Sequence, residues 1–226
     1  MPIFGVLHLS LLAVIASAAF VLALLCRTGR LPKRAARLTL GWALAINEII
    51  WWAYRYSHEG IHLSNLPLQI CDLTLWGAVF ACLTLSAPIV EFTYFAGLAG
   101  AGMALLTPDL WSPWPTYPAI YFFLAHGGIV IAVVLLVFGG IASLRPGAWL
   151  RVFAYLLACA AVIGAVNAAL GTNYAYLCRK PLHASLLNLL GPWPVYLLAG
   201  AAVTLGLFWL LSLPLRALAR VDGPDR

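Results

Sequence analysis

Residues 65–85 read NLPLQICDLTLWGAVFACLTL and join a long apolar run to polar side chains at its start. The apolar part has the composition of a helix that enters hydrocarbon. Gln69, Cys71 and Asp72 lie where such a helix begins. A charged side chain near the start of a membrane helix is costly unless it meets water, a partner or a substrate. These three residues are therefore candidates for a functional site.

The composition of the whole chain places it in a membrane. Of its 226 residues 64% are apolar and 9% are charged, and the mean hydropathy is +0.97. So little polar surface cannot coat a soluble globule of this size. The sequence predicts an all-α, polytopic membrane helical bundle. We expect one integral membrane domain over residues 1–226, with a short basic cytoplasmic tail at 215–226.

Seven apolar runs have the length of about 17 to 25 residues that a helix needs to cross the bilayer. Pro88 marks the expected break between the third run and the fourth, because the residue before a proline leaves helical geometry. Only SAPIVE separates these two runs, so six helices stay open as an alternative. The runs lie near 4–26, 37–56, 67–86, 89–106, 118–140, 149–171 and 193–214.

Basic residues predict the orientation of the chain. If seven helices alternate in direction, ten Lys and Arg residues fall on the side of the 27–37 loop, and only Arg55, Arg179 and Lys180 fall on the other. Basic loops stay in the cytoplasm, so the N-terminus is expected outside and the C-terminus inside. The same asymmetry accounts for the net charge of +6 without a nucleic acid partner.

Neither cofactor nor metal is predicted. The five cysteines contain no C-x-x-C pair, and no nucleotide cradle or metal-ligand spacing occurs. Polar residues instead collect in the predicted outer half of the helices. They are Glu48, Arg55, Gln69, Cys71, Asp72, Asp109, His126 and Asn167, followed by the 171–181 loop.

Two of these positions suggest nucleophilic chemistry. With helix starts near Leu66 and Pro118, Cys71 is expected about 8 Å and His126 about 12 Å below the outer ends. These depths allow the two side chains to face each other at one level. A cysteine in the first turns of a helix feels the positive end of the backbone dipole, and a nearby histidine favours the thiolate further. A packing thiol and a satisfied interior histidine are the alternative interpretation.

Helical spacing divides the third run into two stripes. Cys71, Thr74, Ala78 and Cys82 form one stripe, and Asn65, Gln69, Asp72 and Trp76 form the other. On the second run Glu48 and Arg55 are seven residues apart and share a face. They are expected to compensate each other's charge, directly or through water, or Glu48 accepts a proton.

Five strings together resemble the YwaF-like family of bacterial integral membrane proteins, which is related to the animal transmembrane protein 164, an acyltransferase. The resemblance covers roughly residues 45–200. It implies a cysteine-dependent acyltransferase or ester hydrolase of the bacterial cytoplasmic membrane, acting on a phospholipid or lysophospholipid. The strings are NLPLQICD, EFTYFAGLAGAGMALLTPDL, the histidine of FFLAHGG, NAALGTNYAYLCRKP and LLGPWP.

The resemblance also assigns roles to residues. Cys71 and His126 match the proposed catalytic pair of the animal enzyme. Asp109 is expected to orient His126, to accept a proton or to sit in an ordinary helix-end turn. Arg179 and Lys180 are expected to bind a lipid phosphate or to anchor at the headgroups. Asn167, Asn173 and Tyr176 are taken as supporting residues of the same strings.

Two other classes of function stay open at this stage. A transporter or channel could use Glu48, Asp72 and His126 as a relay for a small solute or proton. A structural subunit could hide the same polar groups against a partner. The acyl-transfer hypothesis requires the thiol of Cys71, whereas a relay tolerates its loss. The donor and acceptor lipids and the oligomeric state are not predicted.

Overall fold

The computed structural model describes residues 2–110, 112–180 and 186–221. In this part of the chain all regular structure is helical, and each of the seven predicted apolar runs forms a long helix. The prediction of an all-α fold is thus confirmed for the described residues. The helices are α1 (Val6–Arg27), α2 (Lys33–Glu59), α3 (Ile70–Thr84), α4 (Ala87–Leu106), α5 (Tyr117–Phe138), α6 (Ala148–Leu170) and α7 (Val195–Val221).

The break between α3 and α4 lies where it is predicted. Leu85 has a φ of 57°, which ends α3, and α4 begins at Ala87. Pro88 lies inside the first turn of α4. A proline fits there because the first backbone N–H groups of a helix have no intrahelical acceptor. Pro88 therefore starts the following helix rather than ending the preceding one.

Length and composition mark this as a multi-pass membrane protein. Among the described residues five helices are long and apolar enough to cross a bilayer, namely α1, α4, α5, α6 and the Val195–Leu215 part of α7. Large apolar side chains lie exposed along them, which water would penalise and lipid accepts. Examples are Phe20, Leu124, Val162 and Leu198.

The chain divides into two compact units. The first contains the chain up to Gly60 and Ile70–Arg145, and the second contains Ile61–Gln69 and the chain from Pro146 onward. The first unit therefore holds α1 to α5, and the second holds α6 and α7. One integral domain over residues 1–226 stays a prediction. Of the predicted basic tail, residues 222–226 lie outside the described residues.

Close approaches set the directions of the helices in the first unit. A Cβ atom on Gly41 would lie 2.9 Å from Cys82 Cβ, and one on Gly128 would lie 2.4 Å from Leu44 Cδ2. Tyr121 of α5 reaches further along α2, to Glu48. The helix α2 thus runs opposite to α5. The helix α4 runs opposite to α3, because Thr93 lies beside Gly77 and Gly97 lies beside Thr74, and it runs opposite to α5, because Gly97 lies beside Ile129 and Leu105 packs with Phe122. The helices α3 and α5 therefore run in the same direction.

One end of the first unit is basic and capped by its own side chains. Lys33 Nζ donates to the Gly140 carbonyl at 2.7 Å, just beyond the end of α5. Arg37 Nη1 donates to the carbonyls of Cys82 and Leu83 at 2.5 and 3.0 Å, in the last turn of α3. Cations at helix C-termini satisfy unpaired carbonyls and oppose the helix dipole. The N-terminus of α3, with Cys71, therefore lies away from the basic end.

Candidate functional site

Cys71 is the second residue of α3 and is partly exposed. The predicted start of this helix near Leu66 is wrong, because Ile70 begins it and residues 61–69 belong to the second unit. The estimated depth of about 8 Å for Cys71 fails with it, since one residue rises only about 1.5 Å. Cys71 therefore lies in the first turn of α3.

The predicted thiol-bearing stripe of α3 faces the interior. Thr74 is 1% exposed, and Ala78 and Cys82 are fully buried. Cys71 is the one partly exposed member of the four, at the N-terminal end of the stripe. The second predicted stripe is wrong in its first two members, because Asn65 and Gln69 precede the helix.

His126 is a buried histidine, and one of its two ring nitrogens makes a hydrogen bond to the backbone. Its side chain is 8% exposed, and Nδ1 lies 2.8 Å from the Phe122 carbonyl oxygen. A carbonyl oxygen only accepts, so Nδ1 carries the proton. In the neutral ring Nε2 is then an acceptor, and it makes no hydrogen bond within the described residues. His126 therefore presents a basic nitrogen that has no hydrogen-bond partner in the part of the chain that the structure describes.

Asp109 does not orient His126. The carboxylate follows the end of α4, where Thr107 caps the helix, and it is exposed. The Phe122 carbonyl holds the imidazole nitrogen that an orienting acid would take. The interpretation of Asp109 as the orienting acid is wrong, and the predicted end of α4 in this string is confirmed.

Gly97 of α4 is a reference point for the positions of Cys71 and His126 along α3 and α5. It ends a π-helical turn, Thr93–Gly97, inside α4. A Cβ atom on Gly97 would lie 3.0 Å from Ile129 Cγ2 of α5 and 4.0 Å from Thr74 Cβ of α3. The side chains of Thr74 and Ile129 therefore flank one point on α4, which lets α3 and α5 approach it closely.

Cys71 and His126 have the same sequence separation from the two side chains that flank Gly97. Cys71 comes three residues before Thr74, and His126 comes three residues before Ile129. Because α3 and α5 run in the same direction, each candidate lies about 4.5 Å further along its helix from Gly97. This register favours one level for Cys71 and His126 on α3 and α5. The equal depth expected from the sequence stays a prediction, because the helix start used for it is wrong.

Glu48 belongs to a separate polar cluster between α2 and α5. The carboxylate is fully buried and accepts hydrogen bonds from Trp52 Nε1 at 2.6 Å and from Tyr121 Oη at 2.5 Å. Trp51 stacks on the Tyr121 ring, with centroids 4.1 Å apart. Asp72 lies in the first turn of α3 and is partly buried. The buried Glu48 carboxylate is thus held by donors from two helices, α2 and α5.

The predicted direct pair of Glu48 and Arg55 is wrong. Arg55 Nε donates to Glu59 at 2.9 Å, one turn further along α2, and its guanidinium lies 5.3 Å from the Trp52 ring centroid. Glu48 has the indole and phenol donors instead. Trp52 and Tyr121 are functional candidates that the sequence analysis missed, although the spacing of four between Glu48 and Trp52 was available as a signal.

A second buried acid was also missed. Glu91, in the first half of α4, is fully buried and pairs with Arg145 through two side-chain hydrogen bonds of 2.8 Å and one backbone hydrogen bond of 3.1 Å. An acid inside an apolar run is a signal in itself. Its partner lies 54 residues away, so the pair cannot be read from local spacing.

In the second unit, Asn167 and Gln69 hold a loop. Asn167 Oδ1 accepts from Tyr174 N at 2.7 Å and from Thr172 Oγ1 at 2.8 Å, and Nδ2 donates to the Tyr174 carbonyl at 3.0 Å. Gln69 Oε1 accepts from Ala175 N at 2.9 Å. These side chains satisfy backbone groups of the 171–180 loop, which is a structural role.

The other candidates of the second unit lie in the same loop. Asn173 Oδ1 accepts from the backbone N–H groups of Cys178 and Arg179 at 3.0 and 3.1 Å. Tyr176 has a φ of 53°, and its carbonyl accepts from Tyr196 Oη. Arg179 is exposed, and Lys180 Nζ lies 5.4 Å from the Tyr196 ring centroid. Binding of a lipid phosphate by Arg179 and Lys180 stays a prediction.

The fold and its buried polar groups define the class of this protein. It is a multi-pass helical membrane protein with a thiol, an imidazole and a carboxylate inside one unit. Among the described residues no group of three or more His, Cys, Asp or Glu side chains is arranged to hold a metal ion.

Comparison with known proteins identifies the family. A family model for the TMEM164 family matches residues 3–212, so the chain belongs to that family. This confirms the resemblance to relatives of the animal transmembrane protein 164. No match was found among curated proteins or among solved structures.

Proposed function

We propose that this protein is a membrane-embedded lipid acyltransferase or lipid ester hydrolase, with Cys71 as nucleophile and His126 as general base. The observation that carries the proposal is the Nε2 atom of the buried His126, which makes no hydrogen bond within the described residues. The register of α3 and α5 at Gly97 favours a position of His126 near the level of Cys71. Membership of the TMEM164 family is compatible with such a lipid-modifying activity. The substrate is a membrane phospholipid or lysophospholipid, and no cofactor takes part.

The proposed reaction has two steps, and Nε2 of His126 takes up and gives back one proton in each. Nε2 of His126 takes the proton of the Cys71 thiol as the sulfur attacks the ester carbonyl carbon, so the S–C bond forms. The ester C–O bond then breaks, and the proton passes to the leaving alkoxide, which departs as an alcohol. In the second step an acceptor hydroxyl or water gives its proton to Nε2 and attacks the thioester carbonyl carbon, so a new C–O bond forms. The C–S bond then breaks, and the proton passes from Nε2 to the Cys71 sulfur.

The active site is proposed to open toward the extracytoplasmic side of a bacterial cytoplasmic membrane. Two observations support this orientation. The basic residues divide ten to three between the predicted faces, and the N-terminus of α3 lies away from the capped basic end of the first unit. A lipid of the outer leaflet then reaches Cys71 without crossing the bilayer.

A trapped acyl-enzyme tests the proposal. Purified protein is exposed briefly to phospholipid vesicles, digested and analysed by peptide mass spectrometry. We expect an acyl group on Cys71 that hydroxylamine removes, as a thioester requires. The variant Cys71→Ser keeps the size of the side chain but is far less nucleophilic at neutral pH, so turnover is greatly slowed. Cys82→Ser is the matched control, because Cys82 is fully buried three turns further along α3.

The base is tested separately. We expect His126→Ala to abolish acyl transfer while the protein keeps its expression and its stability in detergent. Unfolding of this variant would indicate a structural histidine instead. Normal turnover in both Cys71→Ala and His126→Ala would reject covalent catalysis and favour a transporter, in which Glu48, Asp72 and His126 form a relay.

A further inference from the structure

The half of α4 that follows the π-helical turn runs antiparallel to α5. Gly97 lies beside Ile129, and Leu105 packs with Phe122 further along. A step of one residue forward along α4 therefore corresponds to a step of about one residue backward along α5. The same holds against α3, because Thr93 lies beside Gly77 and Gly97 lies beside Thr74.

Gly100 consequently lies at the level of the proposed catalytic pair. It comes three residues after Gly97, whereas Cys71 and His126 come three residues before the side chains that flank Gly97. A Cβ atom built on Gly100 would meet no atom of the described residues within 4 Å. By contrast, one on Gly97 would crowd Ile129 at 3.0 Å. The helix is thus tightly packed at Gly97 and leaves open space one turn further on.

Two further observations indicate that this space receives a ligand. The unbonded Nε2 of His126 belongs to a side chain that is only 8% exposed and lies at the same level. The Leu98–Leu106 part of α4 packs chiefly on α5, and α3 covers little of it because α3 begins only at Ile70. The sequence of that part, LAGAGMALL, carries no polar side chain. An apolar ligand group suits such a surface, whereas a headgroup does not.

We propose that the space at Gly100 holds the first methylene groups of the acyl chain, so that Gly100 determines which chains the enzyme accepts. This inference rests on the proposed function, since the ester carbonyl has to reach the Cys71 sulfur. The chain attached to that carbonyl then extends along α4 toward the lipid. A Cβ atom at Gly100 meets no atom of the described residues within 4 Å, so a side chain there extends into the volume that the acyl chain needs.

Alkyl methanethiosulfonates test the space independently of catalysis. The Cys71 thiolate attacks the sulfenyl sulfur, an S–S bond forms and methanesulfinate leaves. The rates of methyl and octyl reagents at Cys71 are compared by peptide mass spectrometry in the parent, Gly100→Leu and Gly102→Leu. Gly102 also has nothing within 4 Å of its Cβ position, but it lies on the opposite side of α4. The two variants thus add equal volume to open space on different faces.

We expect Gly100→Leu to lower the octyl-to-methyl rate ratio by about tenfold, because the chain and the leucine compete for one volume. Gly102→Leu should leave the ratio at the parent value. An unchanged ratio in Gly100→Leu, or an equal fall in both variants, would overturn the inference. If Gly100→Leu does not fold, Gly100→Ala replaces it, and its ratio should fall about twofold. An unchanged ratio in that variant contradicts the inference too.

The acyl chain itself is tested with vesicles that contain phosphatidylcholines with saturated chains of two lengths. We expect the Cys71 thioester of Gly100→Leu to carry the shorter chain more often than that of the parent. Equal chain profiles in the two proteins would reject a role for Gly100 and leave the acyl-transfer proposal standing. Absence of any thioester in the parent would reject the proposed function. It would also reject the inference that the space at Gly100 holds an acyl chain.

Discussion

The buried ion pair between Glu91 and Arg145 gives a stability prediction that can be worked from the structure. Glu91 is fully buried, and its two carboxylate oxygens accept three hydrogen bonds from the side chain and backbone of Arg145. Breaking a buried pair costs about 3 to 5 kcal/mol, because the remaining charge loses its partner. The Arg145 side chain is 50% exposed, so solvent compensates part of that loss. We expect Glu91→Gln to lower the free energy of unfolding by about 2 to 3 kcal/mol.

An exposed pair in the same unit supplies the control. Arg55 and Glu59 are joined at 2.9 Å, but their side chains are 26% and 51% exposed. Exposed pairs contribute about 0 to 1 kcal/mol, so Glu59→Gln should lie in that range. The assay is detergent-induced unfolding followed by circular dichroism, on parent and variants in the same micelles. A loss in Glu91→Gln no larger than that in Glu59→Gln would refute the buried-pair argument.

Three further changes test other parts of the account. Tyr121→Phe leaves a buried carboxylate short of one donor, so we expect a loss of about 1 to 3 kcal/mol in the same unfolding assay, whereas Tyr155→Phe at an exposed position should have little effect. Asn167→Ala removes three hydrogen bonds of its loop, and limited proteolysis should cut the loop faster than in the parent; equal cutting would contradict the structural role. A thiol engineered in the 58–64 loop should be labelled on intact cells and one in the 28–36 loop should not, and the reverse pattern would contradict the predicted orientation.

Hydropathy identifies the helices of this protein, because a long apolar run that enters the bilayer has to satisfy its backbone hydrogen bonds within a helix. It fails at the start of α3, where Leu66 and Leu68 extend the apolar run without being helical. Pro67 interrupts this segment, and Leu66 N donates to the Tyr174 hydroxyl instead of entering a helix. A hydrogen bond across 108 residues is invisible to a sliding window. The second predicted stripe is wrong for the same reason.

In the candidate site, too, features that depend on residues far apart in the sequence could not be predicted. The equal level of Cys71 and His126 stays a prediction, because it was estimated from helix starts and α3 begins at Ile70 rather than near Leu66. The partner of Glu48 could not be predicted from local spacing, since Tyr121 lies 73 residues away and takes the place expected for the nearer Arg55. The open space at Gly100 also depends on how α4 packs. The sequence shows a glycine there, but only the neighbouring helices show that nothing fills its place.

The most direct test of the central claim is the turnover of purified Cys71→Ala in phospholipid vesicles. The measured quantity is the release or transfer of a labelled acyl chain, relative to the parent protein and to Cys82→Ala. If the acyl group passes through a thioester, Cys71→Ala should lose essentially all turnover while Cys82→Ala keeps a substantial part of it. Full turnover in Cys71→Ala would contradict covalent catalysis at the N-terminus of α3.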